Sequence, residues 1–236
     1  PEFLNYILLQ QGTLPFTIAT TEVKPGTYNL SFMRDVYAGK TVDERMMINC
    51  QIAHHRWVIR DVPAFKEEAY TSSPVNFKNR IWFQLAGFQQ PLNVSTIQAT
   101  WPEYTASLLN RLDFVNEMEN TGEWWPDEMK QVLKGAGSET DIAKAIYAYV
   151  STRYTYNEEE TGRNAPLKKV AAAKTGNMLE LNLLLVAMLR YAGLQADPVM
   201  LSTREHGYSL VDFPVTGQFN YLVCRVRADE DDWLLD

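Results

Sequence analysis

The chain has 236 residues, 46% of them hydrophobic and 12% aromatic, and a net charge of −7. That length suits one large domain or two modest ones, and the apolar content can build a packed core, which excludes a disordered or fibrous chain. The acidic balance argues against sequence-independent nucleic-acid binding, which needs clustered Lys and Arg to displace counterions.

The longest unbroken apolar run, Leu183 to Leu189, stops at Arg190. A membrane-spanning helix needs about 20 such residues, so none is expected. Two cysteines, Cys50 and Cys224, cannot make a disulfide framework or a four-thiolate zinc site, and neither a metal nor a cofactor is expected. The chain starts at Pro1-Glu2-Phe3 and stops on Trp233-Leu234-Leu235-Asp236, so it reads as a piece of something longer.

The first hundred residues have strand character. Alternation runs through Tyr28 to Met33, Met46 to Ile52, Arg56 to Ile59 and Arg80 to Leu85. Turn chemistry separates these runs at Lys24-Pro25-Gly26, Ala38-Gly39-Lys40, Val62-Pro63-Ala64 and Ser73-Pro74. Evenly spaced strands with breakers predict a β-sandwich over residues 1–99, incomplete at its N-terminus. Cys50 and His54 share strand parity there. Two ligands make a weak metal site, so they read as strand-surface or core residues.

Near residue 100 the period changes to that of helices. Thr100-Trp101-Pro102-Glu103 is a helix start, and helices are expected at about 103–119, 126–134 and 139–153. Trp124-Trp125 beside Pro126 reads as a helix-start anchor or, alternatively, a binding platform. The third helix opens on Ser138-Glu139-Thr140-Asp141, with capping-box spacing, and the run Asn157-Glu158-Glu159-Glu160 reads as a solvated loop. Asn177-Met178-Leu179-Glu180 then opens a nearly all-apolar buried helix closed by Gly193. Strands follow at about 196–203, 218–227 and 232–236, which completes an α+β plan over residues 100–236. His206 lies in an exposed loop, and Cys224 reads as a small core residue pointing away from Tyr221.

Several of these segments together resemble the transglutaminase-like superfamily, which shares the papain-type plan. Lys174-Thr175-Gly176-Asn177-Met178-Leu179-Glu180, running on to Leu189-Arg190-Tyr191-Ala192-Gly193, is similar to the family's nucleophile helix, with its Gly-x-Cys, an acidic residue two further on and a closing Leu-Arg-x-x-Gly. Ala196 to Val199 and Ser202-Thr203-Arg204 are similar to the strand that follows. Phe219-Asn220-Tyr221 resembles the His strand, and Trp233 to Asp236 the Asp strand. Val62 to Glu68 resembles the β-rich domain that precedes such modules in many bacterial proteins. The fold this implies is a cysteine-protease-like α+β domain, truncated after Asp236.

The resemblance also implies a Cys-His-Asp triad, and position by position it falls on Met178, Tyr221 and Asp236. A thioether has no proton to lose, and a phenol with an ordinary pKa near 10 is a poor base at neutral pH. The expected function is therefore non-catalytic binding of a peptide, protein or glycan in the acyl-substrate cleft, with Asn177, Glu180, Asn220 and Arg204 as further cleft residues. Glu180 has two readings: the second member of a capping box with Asn177, or an acid/base partner of Asp236. The rivals are an amide hydrolase or acyltransferase built on Glu180, Tyr221 and Asp236, and a structural spacer in a larger surface protein. A periplasmic or extracellular location is what the resemblance implies.

Overall fold

The computed structural model describes residues 4–37, 40–89, 95–96, 100–111, 126–158, 165–212, 214–215 and 217–236. Mixed strands and helices make the chain α+β. It divides into two compact units, one of Leu8–Ala69 and Phe77–Trp82, the other of Pro1–Ile7, Tyr70–Asn76 and Phe83–Asp236.

The N-terminal strands are β1 (Leu4–Gln11), β2 (Thr17–Tyr37), β3 (Lys40–Val58), β4 (Arg80–Phe88) and β5 (Ser95–Thr96). Among the described residues, β2 and β3 pair antiparallel as a two-stranded ribbon, while β1, β4 and β5 form a three-stranded sheet. These sheets are small and do not by themselves make up the many-stranded sandwich expected. Lys24-Pro25-Gly26, which reads as a turn, stays inside β2, with Pro25 opposite Gln51 and Gly26 opposite Cys50. Two runs predicted as separate strands, Met46 to Ile52 and Arg56 to Ile59, merge into β3. A proline donates no ladder bond, and an edge strand tolerates it. The turn expected at Ala38-Gly39-Lys40 falls on 38–39, outside the described residues.

The helices are α1 (Trp101–Arg111), α2 (Pro126–Val132), α3 (Glu139–Arg153), α4 (Leu167–Ala173) and α5 (Met178–Tyr191). Thr100 and Glu103 open α1 as their spacing predicts: the Thr100 N–H and hydroxyl both donate to Glu103 Oε2, at 2.8 and 2.9 Å. Residues 112–125, which include Trp124-Trp125, lie outside the described residues. Ser138 caps α3, its hydroxyl accepting from the Asp141 N–H at 3.1 Å.

The sheet that carries the site is β8 (Gln195–Leu201), β9 (Tyr221–Ala228) and β10 (Asp231–Leu235), antiparallel with β9 in the middle. Leu222, Cys224, Val226 and Ala228 alternate along β9 and join the core, where α5 packs on β8, β9, α3 and α4. Leu183 to Leu189 are all buried. At the end of α5, Arg190 donates to the Ala196 carbonyl at 2.6 Å and to Asp197 at 2.8 Å, tying helix to strand. Gly193, at φ +86°, then supplies the left-handed residue that a side chain would strain.

Candidate functional site

The site begins where the core helix begins. A two-residue parallel pairing of β6 (Thr155–Tyr156) with β7 (Thr175–Gly176) delivers the chain to Asn177. A Cβ on Gly176 would come to 3.0 Å from Val170 Cγ1 and 3.1 Å from Glu180 Oε2, so a side chain at this buried position would require both neighbours to give by a few tenths of an ångström. Asn177 accepts from the Glu180 N–H at 2.9 Å, and Glu180 accepts from the Asn177 N–H at 2.9 Å. This reciprocal capping box satisfies two helix-end donors. The other Glu180 oxygen accepts from the Ala165 N–H, and the side chain is buried. Of the two readings for Glu180, the structure has the capping box, and the carboxylate is bonded to backbone rather than to Asp236.

Met178, the first residue of α5, points its thioether at β9, where Sδ accepts from the Leu222 N–H at 3.4 Å. The adjacent Tyr221 hydroxyl donates to Asp236, 3.0 Å from each carboxylate oxygen. Asn182, one helical turn after Met178, closes the circuit. Its amide donates to Asp236 Oδ1 at 3.1 Å and to the Met178 carbonyl at 3.2 Å. Tyr147 of α3 donates to the Asp236 carbonyl at 2.9 Å. Met178, Tyr221 and Asp236 are thus brought together by one hydrogen-bond network.

Asn182 is absent from the residues that sequence reasoning singles out. Its signal is a single polar side chain at the edge of an apolar run. Buried at 6% exposure, such a group must find partners.

Burial and the hydrogen bond to Asp236, with the repulsion of that carboxylate behind it, raise the Tyr221 pKa above its ordinary value. The phenol stays protonated at neutral pH and acts here as a donor. Burial also pushes the Cys224 thiol up to about 12, which leaves it an unreactive core side chain, as its strand parity predicts.

Asn220 and Arg204 belong to the connection between β8 and β9. The Asn220 amide exchanges two bonds with Thr203, Oδ1 accepting from the N–H at 2.9 Å and Nδ2 donating to Oγ1 at 3.0 Å. Arg204 is exposed in the next turn. In that turn Ser202 gives its only hydroxyl proton to the Gly207 carbonyl, so its 2.9 Å contact with His206 Nδ1 has the ring N–H as donor. This is a turn staple rather than a base set against a nucleophile. Cys50, half-buried, and His54, exposed, lie on β3. Among the described residues no three His, Cys, Asp or Glu side chains cluster in a way that could hold a metal ion.

A buried helix opening on Gly-Asn-Met, an antiparallel sheet behind it and an aspartate at the sheet's end are the frame the resemblance implies. Comparison with family models decides it: residues 127–234 match the transglutaminase-like superfamily. This segment belongs to that superfamily. The chain as a whole is similar in fold to a solved structure, a "putative protease" from Parabacteroides distasonis ATCC 8503. It is 13% identical, with a TM-score of 0.54, and the alignment covers 100% of this chain and 44% of that one. The chain therefore spans less than half the length of that neighbour, and at this identity the likeness concerns fold alone. No curated protein matches the chain. No helix among the described residues is long and apolar enough to cross a membrane.

Proposed function

We propose that the transglutaminase-like domain is a binding module without thiol chemistry, holding a peptide, protein or glycan in the cleft that active relatives use for an acyl substrate. The observation that carries this reading is the contact of the Tyr221 phenol with Asp236, beside the Met178 thioether. Thiol catalysis needs a thiolate, a base that accepts its proton and a carboxylate that orients the base. Here the first two places hold a group without an acidic proton and a group that keeps its own. On the same resemblance we propose a periplasmic or extracellular setting in a bacterium. We also propose that residues 1–99 are a β-sandwich module preceding residues 100–236.

Incubation of the chain with a glutaminyl peptide and a primary amine should yield neither amide cleavage nor amine incorporation by mass spectrometry. Equilibrium titration with short peptides and oligosaccharides should show binding that weakens on Tyr221→Ala. Turnover that survives Cys50→Ala and Cys224→Ala would favour an amide hydrolase or acyltransferase built on Tyr221 and Asp236. Absence of both turnover and binding would favour a spacer in a larger surface protein.

A further inference from the structure

A concave site has a lining that includes none of Met178, Tyr221 and Asp236. It is a cleft of about 500 Å³ lined by Glu128, Gln131 and Val132 of α2, Tyr149 and Arg153 of α3, and Lys174. That volume falls in the range of small-molecule sites, roughly 300 to 1,000 Å³.

Lys174 caps α4 in the left-handed conformation, at φ +56°, and its ammonium is fully committed. Its three protons are taken by the Glu128 carboxylate at 3.2 and 3.3 Å, the Tyr149 hydroxyl at 3.0 Å and the Tyr154 hydroxyl at 3.1 Å. It also stands 4.7 Å from the ring centre of Tyr154 and 5.4 Å from that of Tyr149. Burial works against the charge, but these bonds outweigh it and keep the lysine protonated.

Donors and acceptors in the cleft are therefore out of balance. Among the described residues Glu128 is the one carboxylate in the lining, and Lys174 engages it. Arg153 makes no ion pair among the described residues, and its guanidinium offers a fork of N–H donors. Tyr149 accepts from Lys174 and so retains its own O–H to donate, and Gln131 adds an amide. The charges sum to about +1 on a chain whose net charge is −7. Val132 and the tyrosine ring face supply apolar wall.

We infer that this cleft binds a small monocarboxylate with an apolar body, its two oxygens taken by Arg153 and Tyr149 and its body laid against Val132. A monoanion matches the surplus charge, and a two-oxygen acceptor matches the guanidinium fork. A dianion such as phosphate would leave the cleft net negative beside Glu128.

The test is calorimetric titration of the chain with N-acetylphenylalanine, its neutral amide and inorganic phosphate, with backbone NMR shifts to locate the bound probe. The acid should bind at least 10-fold tighter than the amide or phosphate and shift residues of α2 and α3. Arg153→Gln, at an exposed helix end that should fold normally, should weaken the acid at least 10-fold. Tyr149→Phe should weaken it less, and Lys169→Gln should leave it unchanged. No binding of the acid, equal binding of acid and amide, phosphate binding as tight as the acid, an undiminished Arg153→Gln or shifts confined elsewhere would each overturn the assignment.

Discussion

The Tyr221 hydroxyl sits 3.0 Å from both carboxylate oxygens of Asp236, so one phenol proton is shared by the two. Asn182 supplies the second donor to Asp236 and binds the first carbonyl of the core helix with the same amide. A carboxylate at the end of a sheet is thereby fixed to the start of the helix on which the fold is built. The arrangement meets both Asp236 carboxylate oxygens with hydrogen-bond donors.

Removing one donor at a time measures that network. Tyr221→Phe should cost about 0.5–1.5 kcal/mol, because the half-buried phenol can be replaced in part by water. Asn182→Leu should cost more, about 1–3 kcal/mol, since the buried amide donates to both Asp236 and the Met178 carbonyl. Urea unfolding of the two variants checks the order. An Asn182→Leu variant as stable as the native chain would mean that the amide contributes nothing.

The apolar helix makes a sharper demand. Leu184 is fully buried and Leu185 is 3% exposed. Replacing either with Ala should cost about 2–5 kcal/mol through lost transfer energy and a residual cavity. Losses under about 1 kcal/mol at both positions would place this face of α5 outside the core.

Much of this domain is legible in the sequence because its helices carry their own punctuation. Ser138 and Asn177 begin α3 and α5 with oxygen-bearing side chains, and Gly193 ends α5. The strands around Cys224 are marked by alternation. By contrast α4 carries no such punctuation: Pro166 gives it no side-chain cap, and Lys174 ends it in a conformation usually reserved for glycine. The β6–β7 pairing is two residues long, too short for any period to show. At the site, the sequence places Met178, Tyr221 and Asp236 together but cannot show which polar group bridges them. Asn182 acquires that role only when α5 and β10 meet. In the N-terminal part Pro25 misleads, since a proline on an exposed edge looks the same in sequence as a proline in a turn.

Alkaline pH should destabilise the protein through Cys224. Burial disfavours the thiolate, so the folded thiol is pushed up to about 12 from an ordinary value of about 8.5 to 9. Between those values the unfolded chain has lost a proton that the folded chain keeps, so stability falls as pH rises, by about 1.4 kcal/mol per unit at most. The contribution is fully present below about pH 8.5 and lost toward about pH 12. Urea midpoints at pH 8, 9 and 10 should fall more steeply for the native chain than for Cys224→Ala. Parallel curves would show that the thiol is ionised or exposed in the fold.

A cut near residues 95–102 should precede general digestion if residues 1–99 and 100–236 fold as separate modules. Ser73 complicates that outcome in an informative way. Its hydroxyl donates to the Glu205 carbonyl at 3.1 Å, and Asn76 accepts from the Tyr208 N–H at 2.7 Å. The fragment beginning near 100 should therefore keep its core but loosen at 203–208, visible as faster amide exchange there. Uniform digestion without a fragment of about half the mass would contradict the two-module division.

The most direct measurement installs the two groups that the proposed reading finds replaced. In the variant carrying both Met178→Cys and Tyr221→His, a thiol would stand at the helix N-terminus, with an imidazole next to Asp236. Helix end and imidazolium both favour a thiolate, so the pH profile of iodoacetamide labelling at residue 178 should give a pKa below the ordinary 8.5, with rapid alkylation at roughly pH 6–7. Native protein should label slowly across that range, because Cys224 is buried and Cys50 lacks such a setting. A labelling pKa at or above 8.5 for the introduced thiol would contradict the assignment of Met178, Tyr221 and Asp236 to the triad positions.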